Sequence, residues 1–354
     1  MTVPRVSVIT PTYNQARFIE ACIGSVLEQT VEDWEMIIVD DGSTDGTPDL
    51  AEAVADPRVR VLRLPHRGQG ALHETYNAAL GAARGGVIAL LDGDDFWPAA
   101  KLERQLPLFD DGETVLAWGA GLYVRADGTP LRRVSKQRAR RGGIVRMPLS
   151  DLFLRLTREN VVSPAVTVMV RTEALRRLGG FRQAGARHVV DSPTWLALCA
   201  TAAGSASYLE EVLGCYRLHG AQTTALNMPQ MVADRRSIVL AAVADLDPAT
   251  RARLGWTDRT RRDVEAASAL LLGSADLRRR RFRQARSSFA SALRYARHPG
   301  DRIRAGVGML SALMHVDLLG GARGVRDRAA ALRLRTADLA PQPSTLPRAR
   351  EVGP

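Results

Sequence analysis

A chain of 354 residues with 45% hydrophobic content is long enough for about two soluble domains and at least one large core. No run of about 18 apolar residues is free of charge, which excludes a spanning helix, and no basic region followed by an apolar run at the N-terminus argues for secretion. The net charge of +11 is uneven: residues 1–224 carry 25 Lys+Arg against 26 Asp+Glu, and residues 225–354 carry 24 against 12.

Val6-Ser7-Val8-Ile9 reads as a short strand closed by Thr10-Pro11-Thr12. Phe18, Ile19, Cys22, Ile23, Val26 and Leu27 then recur as one face of a helix does. Met36 to Val39 is a second strand, and Thr44 to Val54 a helix with Ser43 as its cap. Val59 to Leu64, Leu72 to Ala83 and Val87 to Leu91 continue as strand, helix and strand. Such alternation predicts an α/β fold with right-handed crossovers, a largely parallel, Rossmann-like sheet and helices on its flanks. In such sheets ligands sit beyond the carboxyl ends of the strands. Both acidic clusters of this half, Asp40-Asp41 and "DGDD" at 92–95, fall at that place.

From about 115 the pattern changes. "VLAWGAGLYV" reads as a strand, and Arg132 to Arg146 as a solvated basic loop with seven Lys+Arg and no acid. Residues 165–170 read as a strand, 172–181 as a helix stopped by two glycines, Asp191 as a helix start and 208–220 as a last strand. Beyond 225, residues 228–246, 260–297 and 301–319 look helical, and 271–296 resembles one tetratricopeptide-like hairpin. One such hairpin cannot bury its own face, so it is expected to pack on the first domain or on another chain. The expected organisation is therefore 1–224, a basic α-helical extension at 225–335, and a disordered tail at 336–354. Cys22, Cys199 and Cys215 read as reduced core residues of a cytoplasmic protein, neither a disulfide frame nor a zinc site.

Adjacent carboxylates repel, and a fold keeps them for a cap, a cation or a ligand. Asp40 and Asp41 fit a turn or helix cap as well as a ligand. Three carboxylates in four residues, Asp92, Asp94 and Asp95, point to a counterion, and oxygen donors suit Mg2+ or Mn2+.

"VSVITPTYNQARFIEACIGSVLEQT", "IIVDDGSTDGT", "LLDGDD", "GGF" and "YRLHG", in this order and spacing, resemble the family 2 glycosyltransferases, inverting enzymes of GT-A fold that use nucleotide-sugars. The resemblance covers roughly residues 5–224 and implies the following roles. Pro11 and Tyr13 lie against the nucleotide base, with Asp41 accepting its hydrogen bonds. Asp94 is the metal ligand of an Asp-x-Asp motif, Asp92 serves ribose or metal, and Asp95 joins them. Gly93 lets the backbone approach the phosphates. Asp191 is the base that takes the acceptor's proton, although Asp191-Ser192-Pro193 also reads as a helix start. Here the sequence departs from the family, because Val190 and Pro193 stand where acidic residues are usual. Arg217 and His219 share a strand face and clamp the diphosphate. In the stretch holding Gln69 and Asn77, Tyr76 replaces the usual arginine.

The implied cofactor is a divalent cation, Mn2+ or Mg2+. The implied partners are a UDP-, GDP- or dTDP-sugar and a glycan or lipid-linked acceptor of polysaccharide or cell-envelope assembly. The basic third adds contact with an anionic membrane surface, and so a cytoplasmic place or one on the inner face of the cell membrane. Rival readings fit less. A sugar-nucleotide pyrophosphorylase needs a glycine-rich basic loop where "TPTYNQARF" stands, and a dehydrogenase needs G-x-G-x-x-G after the first strand. Nucleic-acid binding has charge but no module, and a non-catalytic scaffold whose basic helical third binds a membrane or partner rests on the altered acidic pair at 190–191.

Overall fold

The computed structural model describes residues 3–137, 139–244 and 246–317, so the expected tail at 336–354 lies outside the described residues. Strand β1 (Val6–Thr12) is buried along its whole length. It runs past the expected stop at Ile9 because Pro11 and Thr12 pair with Val39 and Asp40 of the next strand. Helix α1 (Ile19–Leu27) turns Ile19, Cys22, Ile23 and Val26 inward. Then come β2 (Trp34–Asp40), α2 (Thr47–Glu52), β3 (Val59–Arg63), α3 (Leu72–Ala82) and β4 (Val87–Leu90). These four strands lie in the order β3-β2-β1-β4, all parallel. Helix α2 begins later than expected and its N-cap is Gly46. Ser43 is no cap: its amide and hydroxyl donate back to the Asp40 carboxylate.

The chain continues through α4 (Lys101–Gln105), β5 (Thr114–Arg125), β6 (Pro130–Val134), β7 (Ile144–Pro148), α5 (Leu149–Arg158), β8 (Met169–Arg171), α6 (Thr172–Leu178), α7 (Asp191–Thr201) and β9 (Ser205–Leu218). Among the described residues the sheet has nine strands in the order β3-β2-β1-β4-β8-β5-β9-β7, with β6 on β5. Strand β8 runs antiparallel to both β4 and β5, so the parallel half meets a mixed half there. Two expectations change. The stretch 132–146 is not all loop: its ends belong to β6 and β7, where Arg133 pairs with Glu210 and Arg146 with Asp111. The strand placed at 165–170 starts only at Met169, since Ala165–Thr167 forms a tight 3-10 turn.

Alternation along the strands feeds two cores. Ile9, Ile37, Val39, Ile88 and Leu90 face one side with Trp118 and Trp195. Val6, Val8, Met36, Ile38, Val87 and Ala89 face the other with Ile23 of α1. All three cysteines are free and buried.

The last part is helical: α8 (Thr223–Ala244), α9 (Pro248–Arg253), α10 (Asp258–Arg278), α11 (Phe282–Tyr295) and α12 (Pro299–Leu313). Ile238, Val239 and Val243 of α8, with Leu254 and Val264, join the core on the Trp195 side, so the extension packs on the first part of the chain. The α10–α11 hairpin gains a third helix. Phe289 of α11 is fully buried where α10 and α12 present glycines: a Cβ at Gly273 would come within 2.9 Å of its ring, and one at Gly308 would also strike it. No helix among the described residues is long and apolar enough to cross a membrane.

Candidate active site

The doubled aspartate at the end of β2 divides its work. Asp40 is buried and closes the turn through Ser43. Asp41 is partly buried; its Oδ1 accepts from the Arg67 amide at 3.1 Å and its Oδ2 lies 2.9 Å from His66 Nδ1. Tyr13, 43% exposed, stacks on the His66 ring at 4.2 Å between centroids and 17° between planes. Gly42, at φ 70°, admits no side chain, for a Cβ there would sit 2.6 Å from the His66 amide nitrogen. The β1–α1 loop is tied to the β2–α2 loop: the Thr44 amide donates to Asn14 Oδ1 and the Ala16 amide to Asp45, both within 3.0 Å. Tyr13, Asp41 and His66 thus form one rim. His66 has no local signal in the sequence beyond its place just after β3.

The second acidic turn follows β4. The Gly93 amide donates to the Pro11 carbonyl, and a Cβ at Gly93 would meet Gln15 Oε1 and, at 2.9 Å, Thr12 Oγ1. A side chain here would have to displace Gln15 and press on Thr12 of the β1 loop packed against the turn. Tyr76 of α3 donates its hydroxyl to Asp92 Oδ1 at 2.7 Å. Burial, then the Asp94 charge, pushes the Asp92 carboxyl up to about 7, against the pull of the Tyr76 hydroxyl. Asp94 Oδ2 lies 2.9 Å from His219 Nε2. Asp95 accepts the Arg217 amide at 2.8 Å on one oxygen, and its Oδ2 is buried without a hydrogen-bond partner. Burial and the Asp94 and Asp92 charges raise Asp95 as well, with Arg217 opposing. The Arg217 guanidinium is buried between the Phe18 and Phe96 rings, 5.1 and 4.9 Å from their centroids, and donates to the Asp94 and Ala126 carbonyls. Arg217 thus braces the turn from beneath, while His219, packed on Phe18, touches the Asp94 carboxylate itself.

Asp191 enters from the first residue of α7. The N-cap is Val190 and no side chain caps the helix. Asn160 Nδ2 donates to Asp191 Oδ2 at 2.8 Å, and the Asn160 carbonyl accepts from Lys136 Nζ at 2.6 Å. Burial pushes the Asp191 carboxyl up, while the Ser192 amide, Asn160 and the charges of Lys136 and Arg235 pull it back. The charge of Asp191 in turn raises Asp92 and Tyr76, so α7 and the acidic turn share one electrostatic neighbourhood. Asn77 fixes the segment leading there, exchanging hydrogen bonds with both backbone groups of Phe181. A cleft of about 570 Å³ lined by Arg187, His188, Asn227, Gln230 and Asp234 opens between the loop before Asp191 and α8.

Among the described residues no three His, Cys, Asp or Glu side chains are already gathered as a metal cage. The turn offers the Asp94–His219 pair, the Asp92 carboxylate within its field and the unpartnered Asp95 Oδ2. That donor set fits a hard divalent cation that takes one or two carboxylates and completes its shell with water and phosphate oxygens.

Residues 7–185 match the family model described as glycosyl transferase family 2. The putative teichuronic acid biosynthesis glycosyltransferase TuaG of Bacillus subtilis is 35% identical over 218 residues, 61% of this chain and 79% of TuaG. The UDP-Glc:alpha-D-GlcNAc-diphosphoundecaprenol beta-1,3-glucosyltransferase WfgD of Escherichia coli is 42% identical over 103 residues, 29% of this chain and 40% of WfgD. Among solved structures, the mannosyltransferase PcManGT from Pyrobaculum calidifontis, in complex with GDP-Man and Mn2+, superposes with a TM-score of 0.56 at 20% identity, covering 94% of this chain and 87% of its own. S. aureus TarS 1-349 with UDP-GlcNAc gives 0.53 at 16% identity, covering 88% and 92%. At such identities the likeness is one of fold.

Proposed function

The chain belongs to glycosyl transferase family 2 and has a GT-A type of fold, and from that premise we propose that it is an inverting enzyme using a nucleoside-diphosphate sugar. The donor lies across the carboxyl ends of β1, β2 and β4. Tyr13 and Pro11 hold the UDP, GDP or dTDP base, Asp41 accepts its N–H or ribose hydroxyl, and Asp92 stays near the ribose. Asp94, with Asp92 and Asp95, holds Mn2+ or Mg2+; the cation, when bound, neutralises charge on the departing diphosphate as a Lewis acid. His219 keeps the Asp94 carboxylate oriented, and Arg217 supplies positive charge under the turn.

Asp191 accepts the proton of the acceptor hydroxyl. As that proton leaves, the acceptor oxygen bonds to the anomeric carbon and the carbon–oxygen bond to the nucleoside diphosphate breaks, with inversion. Burial supports this role, because a carboxyl raised above its ordinary range is a stronger base. The acceptor is a glycan or lipid-linked glycan of polysaccharide or cell-envelope assembly, in keeping with the names of TuaG and WfgD. Residues 1–224 carry the chemistry, and the basic helices from 225 contact an anionic membrane surface.

The observation that carries this reading is the geometry of the acidic turn after β4, where Asp94 Oδ2 lies 2.9 Å from His219 Nε2 and the buried Asp95 Oδ2 has no hydrogen-bond partner. A thermal-shift series with UDP, GDP and dTDP, with and without Mn2+, tests it. A ligand at about 100 times its Kd adds about 2.7 kcal/mol of stability. One of the three, aided by Mn2+, is expected to raise Tm; no shift with any of them overturns the reading.

A further inference from the structure

Helix α12 is apolar on two opposite faces. Inward it buries Ala305, Gly308, Ser311 and Ala312, the two alanines in the cluster around Phe289. Outward, Ile303 is 66% exposed and Leu310 49%, and the strip continues past the helix end to Met314 at 57%. At about 100° per residue, positions 303, 307, 310 and 314 fall within a strip roughly 60° wide, centred opposite the buried alanines. Leu313, 54% exposed, widens it. Arg302 and Arg304, both exposed, stand on either side of its beginning. A helix that keeps an apolar strip in water, bordered by arginines, has the pattern of helices that lie in a membrane interface.

Charge selects among the occupants of such a strip. A second copy of the chain would bring the same basic third against it. Residues 318–354 carry seven Arg against three Asp+Glu, so they too are like-charged. An anionic leaflet is complementary both to the flanking arginines and to the excess of 24 Lys+Arg over 12 Asp+Glu in residues 225–354. We infer that α12 docks this protein on an anionic membrane surface, with the Ile303, Leu310 and Met314 strip entering the headgroup boundary and Arg302 and Arg304 meeting lipid phosphates. The inference rests on the membrane-contact part of the reading above and is independent of the transfer chemistry.

The full chain is sedimented with vesicles of phosphatidylcholine alone or mixed with phosphatidylglycerol, at low and high salt. The paired variants are Leu310→Asp with Met314→Asp, and Arg302→Glu with Arg304→Glu, all at exposed positions. Wild-type protein is expected to prefer the anionic vesicles by about tenfold or more and to lose that preference in high salt. Each pair is expected to lower anionic binding by about tenfold, with Tm and the nucleoside-diphosphate thermal shift unchanged. Equal wild-type binding to both vesicles overturns membrane contact and this proposal together. Anionic preference that survives both variant pairs leaves membrane contact standing and overturns its assignment to α12. A dimer dissolved by Leu310→Asp with Met314→Asp, with vesicle binding intact, makes the strip a subunit interface and also overturns it.

Discussion

Asp191→Asn separates proton transfer from every other role of this residue. The amide keeps the size of the carboxylate, and its oxygen can still accept from Asn160 Nδ2 at the 2.8 Å the carboxylate uses. What it loses is the ability to take a proton. General base catalysis contributes about 10²–10⁴ in rate, or about 2.7–5.4 kcal/mol of barrier at 1.36 kcal/mol per tenfold. Stability changes in the other direction. Burial raises the Asp191 pKa in the folded state, so folding takes up a proton between the unfolded value, about 3.9, and the raised folded one. The carboxyl's contribution to stability is full below the unfolded value and is lost as pH rises through the folded one. At neutral pH the ionised, partly buried carboxylate therefore costs stability, and Asn removes that cost. Asp191→Asn should show transfer reduced about 10²-fold or more, an unchanged nucleotide thermal shift, and a Tm at neutral pH equal to or above wild type, with the difference closing near pH 4. Product formation is followed with labelled donor, and Tm by calorimetry across pH. Asp191→Ala should lose the same activity but at most about 0.3–1 kcal/mol of helix-dipole stabilisation, since no side-chain cap is made. Transfer by Asp191→Asn within about threefold of wild type would refute the assignment of Asp191 as base.

Asp94→Ala should keep its fold, because it removes the charge that raises Asp92 and Asp95, yet lose the Mn2+-dependent part of nucleoside-diphosphate binding; unchanged metal-dependent affinity in titration calorimetry argues against it as ligand. Asn160→Ala removes a hydrogen bond that holds Asp191 and lowers its pKa, so kcat should fall about tenfold and the acid limb of the pH–rate profile should move up, with donor affinity constant. A profile that does not move would make Asn160 merely structural. Phe289→Ala empties the space between α10 and α12 and should cost about 3–5 kcal/mol in denaturant melts, and a loss under about 1 kcal/mol would show that the ring is no wedge.

The parallel half was legible because it is buried on both faces. Runs such as "MIIV" and "VIAL" carry their strand signal in every residue, and their ends mark the ligand edge. The strands β6 and β7 were hidden for the opposite reason. They are half exposed, and the charges of Arg133 and Arg146 are answered by Glu210 and Asp111, which are remote in sequence. His66 was missed likewise: the sheet order that sets β3 beside β2 is what carries it to Tyr13 and Asp41. Tyr76 was visible only as a departure from the family, and the fold supplies its partner, since α3 delivers its hydroxyl to Asp92. Asn160 lies 31 residues from Asp191 and offered no motif at all.

The two acidic turns look alike in sequence, yet their energetics differ. At Asp40-Asp41 each carboxylate has its own answer, Ser43 for one and the Arg67 amide with His66 for the other, and the two need no further charge. At Asp92–Asp95 burial and the Asp94 charge raise both Asp92 and Asp95, Asp92 raises Asp95 further, and Arg217, itself desolvated, is shared between Asp94 and Asp95. A buried Asp95 oxygen without a partner and an Asp92 carboxyl pushed to about 7 are destabilising features, and burial makes Asp191 a third. Folds tolerate such features where function requires them, because stability and reactivity trade against each other at a site. Each of the three would be relieved by a different part of one reaction: Asp92 and Asp95 by a divalent cation bound with the donor diphosphate, Asp191 by a proton from the acceptor. Their electrostatic proximity, from the turn after β4 and the start of α7, two separate stretches of chain, is hard to account for by packing alone.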